Sequence, residues 1–367
     1  MHQVADISVV SEVNFPAVSL MIGGKPAQSK SEPRLAGVDS IRFWLAIWVY
    51  LSHFAPALHV RPHAGLVIAV LSGAVNNLFN GAAAVIGFFI ISGLCIHYPY
   101  RDHAAISVPQ FYIRRYVRIL IPFLVAIALA RCSGLDLIGF YNSILWSLVA
   151  ELIYYTLYPA FRIAMRVFTL RGLVAASFAV SGAFVVLHPG YLNFHQFGPG
   201  FTWLVGLPAW LLGCCLAENS RSTRAQSSGE IRRATVWTWR LLVWALASAA
   251  SVLRFHAGIG YPVTLTFLAP VLYLWLKTEL ACHVRKGAAR LFERCGQFSY
   301  SIYLVHGLAV TALTFLFPFT SSAAFAPLRL GLVIALSYGF FLAVERPSHH
   351  VARRLASASS SRAHPAR

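Results

Sequence analysis

Hydropathy along this chain rises and falls in long blocks instead of the short periods of a soluble fold. A membrane-spanning helix needs about 20 mostly apolar residues. Runs of that order recur near residues 41–58, 82–98, 114–131, 144–161, 173–188, 201–217, 237–254, 260–276, 299–318 and 327–344. Polar or basic stretches separate them. The pattern predicts an all-α polytopic membrane protein with about ten transmembrane helices. One further apolar piece, Leu66–Phe79, would make an eleventh crossing. With Asn76, Asn77 and Asn80 in and beside it, it reads as a re-entrant or interfacial segment on the outer side.

Composition supports the block pattern. Of 367 residues, 58% are hydrophobic and 11% charged, with a mean hydropathy of +0.65, where a soluble domain is about a quarter charged. The net charge of +18 would suggest a nucleic-acid partner if taken alone. Its distribution changes that reading. All but Arg61, Arg131, Arg254 and Arg329 of the 30 Lys and Arg fall in the N-terminal segment, the loops after spans two, four, six and eight, the tail, or the bordering span ends. Cytoplasmic loops carry the Lys/Arg excess, so both termini are expected in the cytoplasm and no nucleic acid is required. An eleventh span would put Arg114, Arg115 and Arg118 outside and break the alternation.

The expected divisions are a polar cytoplasmic N-terminal segment over 1–33, a transmembrane domain over 34–347 and a disordered cytoplasmic tail over 348–367. Glu218–Thr235 and Cys282–Arg294 are expected as cytoplasmic loops. Residues 1–33 lack the basic-then-apolar layout of a cleavable signal peptide, so the first span is expected to stay in the mature protein. The 6 cysteines have no ligand spacing and read as reduced core residues, with no metal site.

Ionisable groups inside apolar runs mark functional sites by default. The first is His53, in the run RLAGVDSIRFWLAIWVYLSH. Arg42 lies eleven residues earlier, three helical turns plus about 20°, on nearly the same face and roughly 16 Å away along the axis. His53 could serve as general base on a hydroxyl or as an acyl-accepting nucleophile, or simply bond a carbonyl between packed helices. Glu151, in WSLVAELIYY, matches His53 in depth by rise per residue and could hold its imidazole in one tautomer; the alternative is a bond to Tyr or Trp between helices. Arg114, Arg115 and Arg118 open the third span at the cytoplasmic face. Taken alone they are better explained by positive-inside anchoring, but arginine forks pair with phosphate, and Arg42 at the same membrane level favours a phosphorylated donor. His306, in FSYSIYLVH, lies about two turns into the ninth span and is a possible cavity-lining residue. Trp146, Ser147 and Tyr155 are candidates for stabilising an oxyanion. Glu345-Arg346-Pro347 reads as a helix-end ion pair, and His59, His63, His97 and His103 as interfacial or surface residues.

These stretches are similar, in order and kind, to the acyltransferase-3 family of bacterial integral-membrane O-acyltransferases. The matching pieces are the Arg-x10-His spacing of Arg42 and His53, FFIISGLCI, Arg115-x2-Arg118 in RRYVRILIP, WSLVAELIYY and FSYSIYLVH, over residues 34 to about 347. The resemblance implies ten spans in a bacterial inner membrane, acetyl-CoA or another acyl-CoA as donor, and a glycan hydroxyl as acceptor. It implies that His53 is the essential histidine and that Arg42, Arg115 and Arg118 bind the donor. A short chain of this kind looks like the exopolysaccharide and nodulation-factor (lipochitooligosaccharide) acetyltransferases of root-nodule bacteria. One departure is Glu151-Leu152, where the family usually has two adjacent polar residues. A proton-coupled transporter or flippase of a glycan or lipid-linked sugar is the competing class, with His53 and Glu151 as a proton relay. The basic cytoplasmic floor discriminates the two, because a carrier has no need of Arg115 and Arg118.

Overall fold

The computed structural model describes residues 35–55, 72–101, 104–225 and 232–362, and they are helical with no strand among them. The principal helices are α1 (Val38–Phe54), α2 (Gly81–His97), α3 (Val108–Cys132), α4 (Trp146–Val167), α5 (Leu170–Leu187), α6 (Gly198–Ala225), α7 (Arg233–His256), α8 (Tyr261–Lys286), α9 (Arg290–Gly296), α10 (Ser299–Leu316), α11 (Ala326–Phe340) and α12 (Arg346–Arg362). A five-residue π segment, Tyr141–Leu145, leads into α4, and another, Phe341–Glu345, joins α11 to α12.

Among the described residues, seven helical stretches are long and apolar enough to cross a membrane: Ser72–Tyr100, Leu170–Leu187, Phe194–Ser220, Arg233–His256, Tyr261–Lys286, Ser299–Leu316 and Ala323–Ser359. This is a multi-pass membrane protein. Each of the ten runs anticipated from hydropathy contains a helix, and α1, α3 and α4 fall outside the seven. Helix α1 has only 17 residues, while α3 and α4 interrupt their apolar runs with arginines, tyrosines and Glu151. Those three helices carry most of the candidate site residues.

Helix α1 sits among α2, α9 and α10. Its apolar side chains Ile41, Phe43, Leu45, Ala46, Ile47, Val49 and Tyr50 are buried. Gly37 starts the helix without a side-chain cap. Glu293 of α9 supplies one from outside, accepting the Ser40 N–H at 3.0 Å and the Ser40 hydroxyl at 2.5 Å. A carboxylate there also suits the positive end of the helix dipole. One tight crossing joins α2 to α6. A Cβ on Gly93 would lie 2.0 Å from the Trp210 carbonyl oxygen, and one on Gly213 would lie 2.0 Å from that of Ile90. Small residues at a membrane-helix interface permit such close backbone approach.

Several expectations change. The stretch 348–367, assigned to disorder on composition, is helical as far as Arg362, with Ser348, Ala352 and Ala356 buried; 363–367 lie outside the described residues. The two expected loops shrink, because α6 runs to Ala225, α8 to Lys286 and α9 starts at Arg290. Within Leu66–Phe79, residues 72–76 are helical and 66–71 lie outside the described residues. Asn80 caps α2 by accepting from Ala83 N (3.1 Å), and its amide donates to Ala247 O (3.0 Å). Residues 1–34, with Arg61, His59, His63 and His103, also lie outside the described residues.

Candidate functional site

The α1 backbone carries Arg42 and His53 on one uninterrupted helix, so their helical spacing holds. His53 occupies the last turn, one residue before the helix ends, and not the middle of a span. It is exposed, and its Nδ1 lies 3.0 Å from Nε2 of His306 on α10, with the rings 5.2 Å apart and tilted by 25°. His306 is fully buried.

The surrounding carbonyls assign the tautomers. A neutral imidazole has one N–H and one acceptor nitrogen. His306 Nδ1 faces the carbonyl oxygens of Tyr303 (2.8 Å) and Ile302 (3.2 Å), which can only accept. The proton of His306 is therefore on Nδ1, its Nε2 accepts, and His53 Nδ1–H donates to it. His53 Nε2 is left with its lone pair free. A buried histidine thus orients an accessible one with its Nε2 lone pair uncommitted. The end of α1 is fixed as well: buried Arg329 donates to the Phe54 carbonyl (2.8 Å), the Thr320 carbonyl (3.1 Å) and the Tyr50 hydroxyl (3.4 Å). Its sequence position had shown it only as one of the few arginines on the outer side.

Two helix faces continue from this pair toward Arg42. On α10, Tyr303 precedes His306 by three residues, and its hydroxyl meets Ser147 Oγ at 2.6 Å. Tyr155, Glu151 and Ser147 follow one another at four-residue intervals along one face of α4, covering roughly 12 Å. Glu151 Oε1 accepts from Ser92 Oγ of α2 at 2.7 Å and from the Tyr155 hydroxyl, and Trp210 Nε1 donates to Ser92 Oγ at 3.3 Å. The hydrogen-bond partners of Glu151 are therefore Ser92 and Tyr155, not His53, whose partner is His306. Trp146, expected as an oxyanion donor, packs between Phe194 (stacked, 5.4 Å) and Phe89 (edge-on, 6.2 Å). Ser147 is occupied by Tyr303 and the Ile144 carbonyl (3.1 Å).

At the far end lie the arginines. Arg42 is 3.8 Å from Asp39. It lies within electrostatic reach of Cys95, Glu345 and Glu151. Arg115 and Arg118 of α3 lie within electrostatic reach of the same Cys95, so Arg42, Arg115 and Arg118 share one neighbourhood on α1 and α3. Arg114 points elsewhere, donating to Gln110 at 3.1 Å. Arg115 and Arg118 form no ion pair among the described residues. Glu345 overturns the helix-end reading: it is buried, its Oε2 accepts from Ser301 Oγ at 2.5 Å, and it neighbours Arg118 and Arg42.

Sequence reasoning missed Tyr303, Ser92, Cys95 and Glu345. Tyr303 is three residues before His306 on α10, while Ser92 and Cys95 lie on α2 and meet Glu151 and Arg42 from a neighbouring helix; the motifs FSYSIYLVH and FFIISGLCI contained all three. Glu345 follows from a π segment, which hydrophobic periodicity does not reveal; such bulges recur at functional sites. His97, read as a surface residue, is buried between Tyr158 (3.0 Å) and Glu218 (2.7 Å) and ties α2, α4 and α6 together. Among the described residues, no group of three or more His, Cys, Asp or Glu converges in a metal-binding arrangement.

Comparison with known families adds one finding. A family model described as an acyltransferase domain (acyltransferase-3) matches residues 35–344, from the start of α1 into the π segment before α12. No curated protein and no solved structure matches the chain.

Proposed function

The chain belongs to the acyltransferase-3 family, and from that premise we propose that it is an O-acetyltransferase moving an acetyl group from acetyl-CoA to a sugar hydroxyl. In this reading the chain makes ten crossings of a bacterial inner membrane, with both termini in the cytoplasm. Arg42, Arg115 and Arg118 hold the donor's phosphates at the cytoplasmic end by bidentate pairing. The donor's arm follows the polar ladder of Tyr155, Glu151, Ser147 and Tyr303 to His53, a reach of roughly 16 Å along α1.

The observation that carries this reading is the His53–His306 pair. His53 Nε2 takes the proton from the sugar hydroxyl as that oxygen bonds to the thioester carbonyl carbon. The resulting tetrahedral adduct expels the thiolate, breaking the C–S bond, and His53 returns the proton to sulfur. His306 accepts the hydrogen bond from His53 Nδ1 throughout, which favours the imidazolium form while it lasts and fixes the ring angle. The sugar is best read as part of a lipochitooligosaccharide signal, at its reducing-end residue as in acetyltransferases of the nodulation protein X type, or as part of an exopolysaccharide. That reading comes from resemblance alone.

The test compares surface glycans and secreted lipochitooligosaccharides by mass spectrometry from cells carrying the wild type, His53→Ala, or no gene. The expected result is one acetyl group per acceptor in the wild type only, with the variant present in membranes at wild-type abundance. Full acetylation by His53→Ala would remove the mechanism. A change in where the glycan is found, with no change in its mass, would favour the carrier.

A further inference from the structure

The helix after the family domain is placed to take part in donor binding. Helix α12 continues from the π segment and packs along α3 through small residues: Ser348, Ala352 and Ala356, at four-residue intervals, are buried, and Ser348 Oγ lies 3.4 Å from the Arg118 carbonyl. With that stripe set against α3, the adjoining stripe of Glu345, His349 and Arg353, again at four-residue intervals, borders the arginine cluster. His349 Nε2 is 3.6 Å from Glu345 Oε1, and its charged neighbours are Arg118, Arg353, Arg42 and His350. Arg353 Nη2 lies 3.3 Å from His350 Nδ1.

Two observations point to a missing ligand. Glu345 Oε1, on a side chain that is 1% exposed, and His349 Nε2 are both buried and face each other at 3.6 Å, just beyond hydrogen-bond distance, so the carboxylate holds the inner edge of the imidazole and leaves its other nitrogen for a ligand. Buried polar atoms are normally satisfied, so each exception needs an explanation. Moreover, Arg115, Arg118 and Arg353 form no ion pair among the described residues. The cations also fall into two sets: Arg115 and Arg118 on α3, and His349 and Arg353 on α12. A cation cluster drawn from two helices suits a ligand with more than one phosphate group, such as a diphosphate and a phosphate monoester.

We propose that His349 and Arg353 of α12, beside Arg118, form a subsite for the 3′-phosphate monoester of the donor nucleotide, which makes α12 a determinant of donor specificity. The proposal rests on the acyl-CoA reading above and deepens it. His349 Nδ1–H donates one bond to the phosphate, its Nε2 faces Glu345 Oε1 on the inner side, and the Arg353 fork supplies the other donors. Nothing in the chemistry of acyl transfer requires this contact; it selects CoA over donors lacking the 3′-phosphate.

The experiment measures KM for acetyl-CoA and for 3′-dephospho-acetyl-CoA with the full chain in membranes. The wild type should favour acetyl-CoA by about tenfold or more, the scale of one charge-assisted phosphate contact. In Arg353→Ala, an exposed position whose loss does not threaten the core, the ratio should fall toward one, and His349→Gln should lower it in the same direction. Arg354→Ala, one residue away on another face, should keep the wild-type ratio. If the wild type uses both donors equally, or Arg353→Ala keeps the wild-type ratio, the α12 subsite is wrong while the donor reading stands. If the wild type takes an acetyl group from neither donor, the donor reading falls and the subsite falls with it.

Discussion

At the scale of single residues, the decisive feature is a direction of hydrogen bonding. Backbone carbonyls of Ile302 and Tyr303 fix the proton of His306 on Nδ1, and that assignment propagates to His53 Nε2. His306→Ala should therefore lower kcat by about a hundredfold, the lower end of what general-base catalysis contributes, with little change in KM for acetyl-CoA. His306→Gln, whose amide oxygen can still accept from His53 Nδ1–H, should recover part of that loss. Equal losses in the two variants, tracking protein abundance, would reduce His306 to a packing role. Glu151 shows why the sequence pointed to a different partner. Rise per residue places a group along the membrane normal but says nothing about which neighbouring helix it faces. Depth made Glu151 and His53 look like partners. In the fold, α2 places Ser92 beside Glu151, and α10 places His306 beside His53.

At the scale of helices, backbone contact governs position more than propensity does. The α2–α6 crossing has no room for a methyl group at Gly93, because the obstructing atom is the Trp210 backbone carbonyl, 2.0 Å from the added Cβ. Gly93→Ala should cost about 1–3 kcal/mol, the usual scale of overpacking. It should also loosen the Trp210 Nε1 bond to Ser92 that supports Glu151. Thermal stability in detergent checks the prediction, and Gly182→Ala, where a Cβ would meet nothing within 4 Å, is the matched control. No loss at Gly93 relative to Gly182 would mean that the crossing is looser than described. The ten apolar runs were legible because burial in lipid imposes length and hydropathy. Helix α12 was not, because Ser-, Ala- and Arg-rich sequence resembles a solvated tail. Its order comes from Ser348, Ala352 and Ala356 lying against α3, a tertiary contact that composition does not carry. The π segments before Trp146 and after Phe340 escaped for a related reason: each shifts the helical register by a residue within a run whose hydropathy is unchanged.

At the scale of the whole molecule, the proposed function depends on which face the arginines occupy, since acyl-CoA is cytosolic. Helix α3 makes the question answerable with the protein's own cysteines. It carries Arg115 and Arg118 in its first half and ends at Cys132, which is exposed; its 25 residues cover roughly 37 Å, enough to separate its two ends across the hydrocarbon core. Cys295 in α9 lies next to Gly296, which contacts the Asp39 carbonyl at the start of α1, and so marks the Arg42 end. In spheroplasts bearing either cysteine alone, a membrane-impermeant maleimide should label Cys132 directly and Cys295 only after the membrane is opened. That pattern would place Arg42, Arg115 and Arg118 in the cytoplasm and His53, at the other end of α1, near the outer face. An acceptor glycan could then reach the base from outside while the donor is held from within. Labelling in the opposite sense would turn the basic floor outward, where no acyl-CoA is available, and would remove the donor assignment whatever the His53 variants do.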